Sequence, residues 1–439
     1  MSAKLEQVRA WAAGEGVRMT APAEFPTGDF RTDPRIDFGR YVRRTPGLML
    51  HPNDATQLAA CMRQLGSAGV PFTTRAGAHS SGGQVLIDGG VVIDLRALNR
   101  VLADDPELQT VTVEGGARWL DVIEYLAPLG RRPPVLTDNS RSTVGGTLAV
   151  GGFGSSSHRH GLQVQQVRAL TVITLDGERH VVRPGDDLYA YTLCGRGQLG
   201  VIADATLTTV TRPWTLRGRM LGWRSIANFM DSATRVLESG HYDFFRAMMQ
   251  WEPGLPVMAV SGDLGETLSP IEDVRPDDAT ALEEVDLLGP AREDHIEKWK
   301  FTSPALELLL PLPDGLPTFR RIVDRIMEAG LHAHMPRGSS LMVLRRPQGL
   351  PLAPFPQSSD LALLVALRLE LTPEDAPAVL PALRDIGNEA MKDGARCYLI
   401  SLELESADFL ERQFGDALPA FRALKDRYDP DRLLNPWLL

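Results

Sequence analysis

A chain of 439 residues is longer than one ordinary hydrophobic core organises, so two domains are expected. Its apolar fraction of 43% and charged fraction of 23% are those of a globular protein and exclude extensive disorder. The formal net charge of -10 argues against nonspecific nucleic-acid binding and adhesion to anionic membranes, which leaves a small-molecule partner as the favoured reading.

No apolar run approaches membrane-spanning length, so no membrane partner is expected. Cys61, Cys194 and Cys397 are far apart and odd in number, which supports neither a disulfide framework nor a zinc knuckle. A reducing, cytoplasmic compartment is the expectation.

The opening stretch MSAKLEQVRAWAAGEGVRM lacks an uninterrupted apolar core and reads as a short amphipathic helix rather than a signal peptide. GLMLHPNDATQLAACMRQLGSAGVPFTTRAGAHS then predicts strand, helix, strand, with Asn53 and Asp54 as cap candidates and Leu58, Cys61, Met62 and Leu65 on one helical stripe. QTVTVEGGARWLDVIEYLAPLG repeats the pattern: a strand, the Gly115-Gly116 turn, and a helix whose Trp119, Val122, Ile123 and Leu126 share a face.

RALTVITLDGERHVV carries Asp176-Gly177 between two β-rich runs, a hairpin signal. LGVIADATLTTVT alternates as a strand with one buried face. After Pro213 the glycine-rich loops cease. Helical stretches (ANFMDSATRVLESG, PTFRRIVDRIMEAG), the strand-like SSDLALLVALRLEL and an acid-rich segment, residues 263–294, take over, so a boundary is placed near residue 215. The last stretch, FRALKDRYDPDRLLNPWLL, has its own turn residues and is expected to return to the first domain.

Two segments carry the chemistry. RAGAHSSGGQ, from Arg75 to Gln84, has small side chains that let backbone N–H groups approach an anion closely. TVGGTLAVGGFGSSSHRHG places Gly145, Gly146, Gly151, Gly152 and Gly154 within ten residues. A nicotinamide Rossmann site would put its glycines between the first strand and first helix of a βαβ unit, whereas these come late with no clean helix after them. Two separate loops suit one large dinucleotide gripped from two sides, and FAD fits that description.

Asp138, in PPVLTDNSRSTVGG, reads on its own as a turn or cap residue. Beside a flavin-binding loop a carboxylate can also serve as a base. His158 and His160 would share a face on a strand, but Ser and Arg around them offer no further metal ligand, so they are assigned structural or phosphate-near roles and no metal is expected.

The order and spacing of RAGAHSSGGQ, GGVVIDL, TVTVEGGARWLDV, TDNSRSTVGGTLAVGG, RHGLQVQQV, VITLDGE and GRGQLGVI resemble the vanillyl-alcohol-oxidase type of FAD-linked oxidoreductase, and within it the cytokinin dehydrogenases. The likeness continues more weakly through SPALELLLPL, ARCYL and YDPDRLLNP. It implies an α+β, two-domain PCMH-type FAD-binding fold. Residues 1–215 would bind FAD, an α+β substrate-binding domain (216–398) would be inserted, and residues 399–439 would return to the first domain.

The resemblance further implies that His79 bonds covalently to the flavin 8α-methyl, which raises the flavin's potential and prevents its loss. Arg141 stands where some relatives carry a second, cysteinyl link, so a single attachment is expected. The cofactor contacts it implies are Thr74, Ala76, Gly77, Ala78, Ser80 and Gln84, then Thr143, Ala149 and Phe153, and later Ile202, Tyr398 and Asn435. Asp138 matches the family's catalytic aspartate, which draws the proton from a secondary amine while hydride passes to the flavin; the imine formed hydrolyses to amine and aldehyde.

Departures bear on substrate. Arg246 aligns where plant cytokinin dehydrogenases carry a glutamate, which favours an anionic or carbonyl-bearing partner. Pro436, Trp437 and Leu438 replace a Pro-Gly-Gln pattern, and YLIS, beginning at Tyr398, replaces a Tyr-Leu-Pro-His run. The implied activity is oxidation of a CH–NH donor with oxygen or a quinone as electron acceptor. The alternatives are oxidation of an alcohol or a ring bond on the same fold, and a flavoprotein that only binds its ligand.

Overall fold

The structure is a computed structural model that describes residues 2–137, 139–239, 243–251, 257–263, 278–279, 283–288, 301–402, 404, 406–437 and 439. Asp138, Leu438 and most of the acid-rich segment lie outside the described residues.

The first sheet is built around the buried strand Val91–Asp94, paired in parallel with Leu48–His51 on one side and Phe72–Arg75 on the other. Arg18–Thr20 adds an antiparallel edge. Every residue of Leu48–His51 and Val91–Asp94 is buried, as parallel strands covered on both faces require. The helix Ala55–Ala68 covers them with Leu58, Cys61, Met62 and Leu65, and the N-terminal helix Ser2–Gly14 adds Leu5, Val8 and Ala12. Asp54 alone is the cap, accepting from the Thr56 and Gln57 amides at 2.8 Å each; the Asn53 amide instead donates to Gln57 Oε1.

A second, antiparallel sheet runs Val101–Asp105, Thr110–Glu114, Val201–Thr208, Val167–Ile173, Arg179–Val182. Its last two strands are joined through Asp176 and Gly177, where Asp176 Oδ1 accepts from Thr174 Oγ1 at 2.6 Å and from the Glu178 amide at 3.0 Å. The helix Trp119–Leu126 buries Trp119, Val122, Ile123 and Leu126.

The third sheet, nine strands among the described residues and all paired antiparallel, extends from Thr215–Trp223 to Arg396–Cys397. On one face, Leu306, Leu308, Val365 and Leu367 pack under helices Ile226–Ser239, Leu316–Glu328 and Ala376–Lys392 through Phe229, Phe319, Ile322, Leu383 and Ile386. Because side chains alternate along a strand, the residues between them project from the other face. That second face looks onto the first two sheets.

The chain ends by returning to the first sheet. The Phe72 amide donates to the Leu433 carbonyl at 2.8 Å, and the Asn435 amide to the Phe72 carbonyl at 2.9 Å. Lys425, at the end of the helix Leu418–Tyr428, is fully buried. Its ammonium bonds Asp429 Oδ2 at 2.7 Å and the Gln198 and Leu434 carbonyls at 2.9 and 2.8 Å. Asp429 in turn accepts from the Leu433 and Leu434 amides. This buried pair sets the turn that delivers the C-terminal tail.

Among the described residues no helix is long and apolar enough to cross a membrane.

Candidate active site

A cavity of about 470 Å³ lies between the glycine-rich loops of the first two sheets and the free face of the third. Its floor begins where the strand Phe72–Arg75 gives way to the loop carrying His79. Arg75 is buried and donates to the Phe30 carbonyl; burial pulls its pKa down to about 10, opposed by the charges of Asp94 and Asp37. Asp37, also buried, accepts from the Gly83 amide at 2.7 Å and from Ser80 Oγ at 3.1 Å. Burial pushes its carboxyl up to about 6 despite those bonds.

Gln84 closes the loop from the far side: its Nε2 donates to the Ser401 carbonyl at 2.8 Å and its Oε1 accepts from the Gly82 amide at 2.9 Å. Both ends of this amide are therefore engaged with the protein.

His79 stands against two aromatic rings, Phe30 edge-on at 5.3 Å and Phe38 tilted at 6.4 Å. Its Nδ1 is buried with no hydrogen-bond partner. Desolvation, reinforced by Arg31, Arg368 and Arg141, drives the ring's pKa down to about 3, so the imidazole is neutral and keeps a lone pair at physiological pH. The residue before Ala78 must be glycine for a local reason: a Cβ at Gly77 would lie 2.7 Å from His79 Nδ1. Ala78 itself takes φ 53 and its carbonyl accepts from the Phe38 amide.

The second glycine stretch contains the short helix Val144–Leu148, so a helix does form where none is legible in the sequence. Gly145 donates to the Gly115 carbonyl at 2.7 Å, and a Cβ at Gly115 would meet the Ile202 carbonyl at 2.1 Å. Three backbones thus close on one another at the cavity wall, where side chains would not fit.

Thr143, Ala149 and Phe153 line the cavity from this stretch, and Ile202 from the adjoining strand. Tyr398 packs edge-on against Phe153 at 4.7 Å and accepts from the Gly152 amide at 3.1 Å; burial and Glu307 push its phenol far upward. Asn435, at φ 48, accepts from Thr73 Oγ1 at 2.7 Å and donates to the Gly197 carbonyl at 2.8 Å.

The residues named from the sequence therefore converge. Thr74, Ala76, Gly77, Ala78, His79, Ser80 and Gln84 line the same cavity as Thr143, Ala149, Phe153, Ile202, Tyr398, Asn435 and Arg246. Asp138 lies outside the described residues, but its chain neighbours Thr137 and Asn139 both line the cavity. His158 and His160 do not line it. They lie on the helical turn Ser157–His160, not on a strand, and His158 Nδ1 is paired with the Ser155 carbonyl at 3.1 Å. At the start of this turn Ser157 Oγ accepts from the Gly154 amide at 3.0 Å.

The ceiling holds groups that the sequence did not single out: Glu307, Arg368, Arg337 and Glu370 line the cavity. Trp437, on the C-terminal tail, lines it as well, with the Arg196 guanidinium over its ring at 4.3 Å. One signal was available: Glu307 interrupts LELLLPL, a run whose every residue is buried. A carboxylate in such a strand calls for a partner, and Arg368 supplies it.

These residues fit a large flavin dinucleotide. The floor presents small side chains and backbone, the histidine is neutral with an unpartnered nitrogen, and the ceiling offers Met248, Met342, Leu364 and Ala366 to a planar ring.

Comparison with known proteins agrees. A family model described as an FAD binding domain matches residues 46–183. An uncharacterized oxidoreductase of the fasciation locus of Rhodococcoides fascians is 26% identical over 432 residues, 92% of this chain and 96% of that protein. Cytokinin dehydrogenase 7 of Oryza sativa subsp. japonica is 35% identical over 227 residues, but the match spans only 49% of this chain and 43% of the rice enzyme. Cytokinin dehydrogenase 2 of Arabidopsis thaliana is 24% identical, with 92% of each chain covered.

Proposed function

Because this chain belongs to the FAD-linked oxidoreductases of the PCMH type and is related to the cytokinin dehydrogenases, we propose that it oxidises a CH–NH donor, a secondary amine of the N6-isoprenoid adenine kind. The cofactor is held by the loops at 74–84 and 143–153 and attached through His79 alone, since Arg141 offers no second nucleophile. The observation that carries the reading is the setting of His79: a neutral imidazole, penned by Phe30 and Phe38, with an unpartnered nitrogen at the wall of the one cavity that the expected cofactor residues share.

When bound, the flavin supplies a two-electron acceptor for the hydride that leaves the carbon beside the substrate nitrogen. Asp138 takes the proton of that nitrogen, and the released imine hydrolyses to an amine and an aldehyde. The apolar side chains of the sheet face above, Met248, Met342, Leu364 and Ala366, would limit water at the reacting atoms. Oxygen or a quinone would serve as the electron acceptor. The three cysteines, free and buried, suit work in a reducing cytoplasm.

A second reading keeps the fold and exchanges the amine for an alcohol or a ring C–H or C–N bond. What favours it is the pair of guanidinium groups in the ceiling, Arg246 and Arg368, for which an isoprenoid adenine has no evident use.

Anaerobic mixing with isopentenyladenine and a panel of secondary amines and alcohols separates the two. Bleaching of the yellow flavin band by amines supports the first reading; bleaching by alcohols alone replaces it with the second. In parallel, flavin fluorescence should survive denaturation on a gel and vanish in His79→Ala. Release of all the colour into acid supernatant from the unaltered protein would remove the covalent attachment from the reading.

A further inference from the structure

The ceiling's chemistry follows from strand register. Met248 pairs with Ser340, Ser340 with Ala366, and Ala366 with Glu307, which makes one row across four strands. The next row on one side holds Met342 and Leu364, with Arg246 two residues before Met248. Arg368 lies two residues beyond Ala366 on the opposite side. With strands ~4.8 Å apart and ~3.3 Å per residue, Arg246 and Arg368 stand on the order of 16 Å apart, at opposite corners of one apolar field.

The Arg368 corner is built from behind. Glu307 has no exposed side-chain surface, whereas Arg368 keeps 34% of its own exposed while lining the cavity. Glu307 Oε1 accepts from Arg368 Nη2, and Glu307 is the one hydrogen-bond partner of that guanidinium among the described residues. Glu307 is itself fixed: its amide donates to Ser401 Oγ at 3.1 Å and its carbonyl accepts from the Tyr398 amide at 2.8 Å. A guanidinium with one face tied to a buried carboxylate presents its remaining N–H donors in a fixed direction. Because Arg368 lines the cavity with part of its side chain exposed, a ligand that brings an acceptor can reach those donors.

We propose that Arg368 is a specificity-determining residue of this cavity, oriented by Glu307 as a positioning residue, and that it binds a carboxylate or carbonyl group carried by the substrate. This deepens the oxidoreductase reading above and rests on it for the site, though not for the bond oxidised. The substrate is then a flat or apolar body lying under Met248, Met342, Leu364 and Ala366, with an acceptor group at one end.

The same donors could serve an anionic part of the flavin, and the test separates the two. Benzoate, benzamide and benzyl alcohol are titrated into the flavin-loaded protein, with the flavin absorption spectrum as the readout, and the flavin midpoint potential is measured for each variant. None of this needs turnover, so a failure of amine oxidation leaves it intact. Benzoate and benzamide are expected to bind the unaltered protein at least tenfold more tightly than benzyl alcohol.

Arg368→Gln should erase that preference while leaving benzyl alcohol binding unchanged. Arg368→Lys should keep part of the benzoate preference, and Glu307→Gln, which frees the guanidinium to wander, should lower it several-fold. The proposal is overturned if the three probes bind equally well to the unaltered protein. It is equally overturned if Arg368→Gln shifts the midpoint potential and preserves the preference, which would assign the guanidinium to the cofactor. Should Arg368→Gln fail to fold, the Arg368→Lys and Glu307→Gln titrations decide the matter by the same criteria.

Discussion

Gly77→Ala tests how His79 is held. The added Cβ would sit 2.7 Å from His79 Nδ1, 3.2 Å from its Cε1 and 3.4 Å from the Arg141 carbonyl. Nonbonded heavy atoms of this kind settle near ~3.5 Å, so the ring must retreat by roughly 0.8 Å. Phe30 and Phe38 stand against the ring, so the strain passes into the loop. Gly77 is not among the glycines with positive φ, so the cost is steric rather than conformational. Overpacking of this kind costs about 1–3 kcal/mol. A shift approaching 1 Å at a reacting atom costs on the order of 100-fold in rate.

The variant should bind FAD yet acquire acid-stable flavin ~10- to 100-fold more slowly than the unaltered protein. The assay is in-gel flavin fluorescence against time after adding FAD to flavin-free protein, with acid-extractable flavin counted in parallel. Equal rates of acid-stable incorporation would refute the idea that Gly77 exists to seat the histidine.

The remaining predictions are of three kinds. Lys425→Met leaves the buried Asp429 carboxylate without its counter-ion and should cost about 3–5 kcal/mol in urea unfolding, with weaker FAD retention because the tail bearing Asn435 and Trp437 loosens; a loss below about 1 kcal/mol would show that the pair does not set the tail. Asp37 holds its proton to about pH 6 when folded but only to its ordinary 3.8 when unfolded, so its stabilising contribution is complete below pH 3.8 and lost as pH rises through about 6. The stability of Asp37→Asn minus that of the parent should therefore rise by up to about 3 kcal/mol between pH 4 and 6.5, and a pH-independent difference would argue against the raised pKa. Asp138→Asn should bind FAD normally yet be reduced by an amine substrate at least 100-fold more slowly in stopped flow; unchanged reduction would remove it as the base.

Local features were legible wherever one stretch of chain carries its own reason. The Ala55–Ala68 stripe, the Asp176-Gly177 turn and the Trp119–Leu126 face follow from periodicity and turn chemistry, and the structure has them at those residues. The small-residue loops were legible as places where something approaches backbone. Two residues apart, His158 and His160 would share a face only on a strand; the structure has them on the turn Ser157–His160, and neither lines the cavity.

By itself, then, the amino-acid sequence determined two small-residue loops, the histidine within the first, and the alternation that makes each strand two-faced, because those depend on neighbours in the chain. Only the tertiary structure decided what those faces meet. The row Met248, Ser340, Ala366, Glu307 draws on strands separated by up to 118 residues, and register across a sheet is set by long-range pairing that no short window contains. For the same reason the buried carboxylate that orients Arg368, and the lysine that brings the tail to the cavity wall, became apparent only once the sheets were assembled.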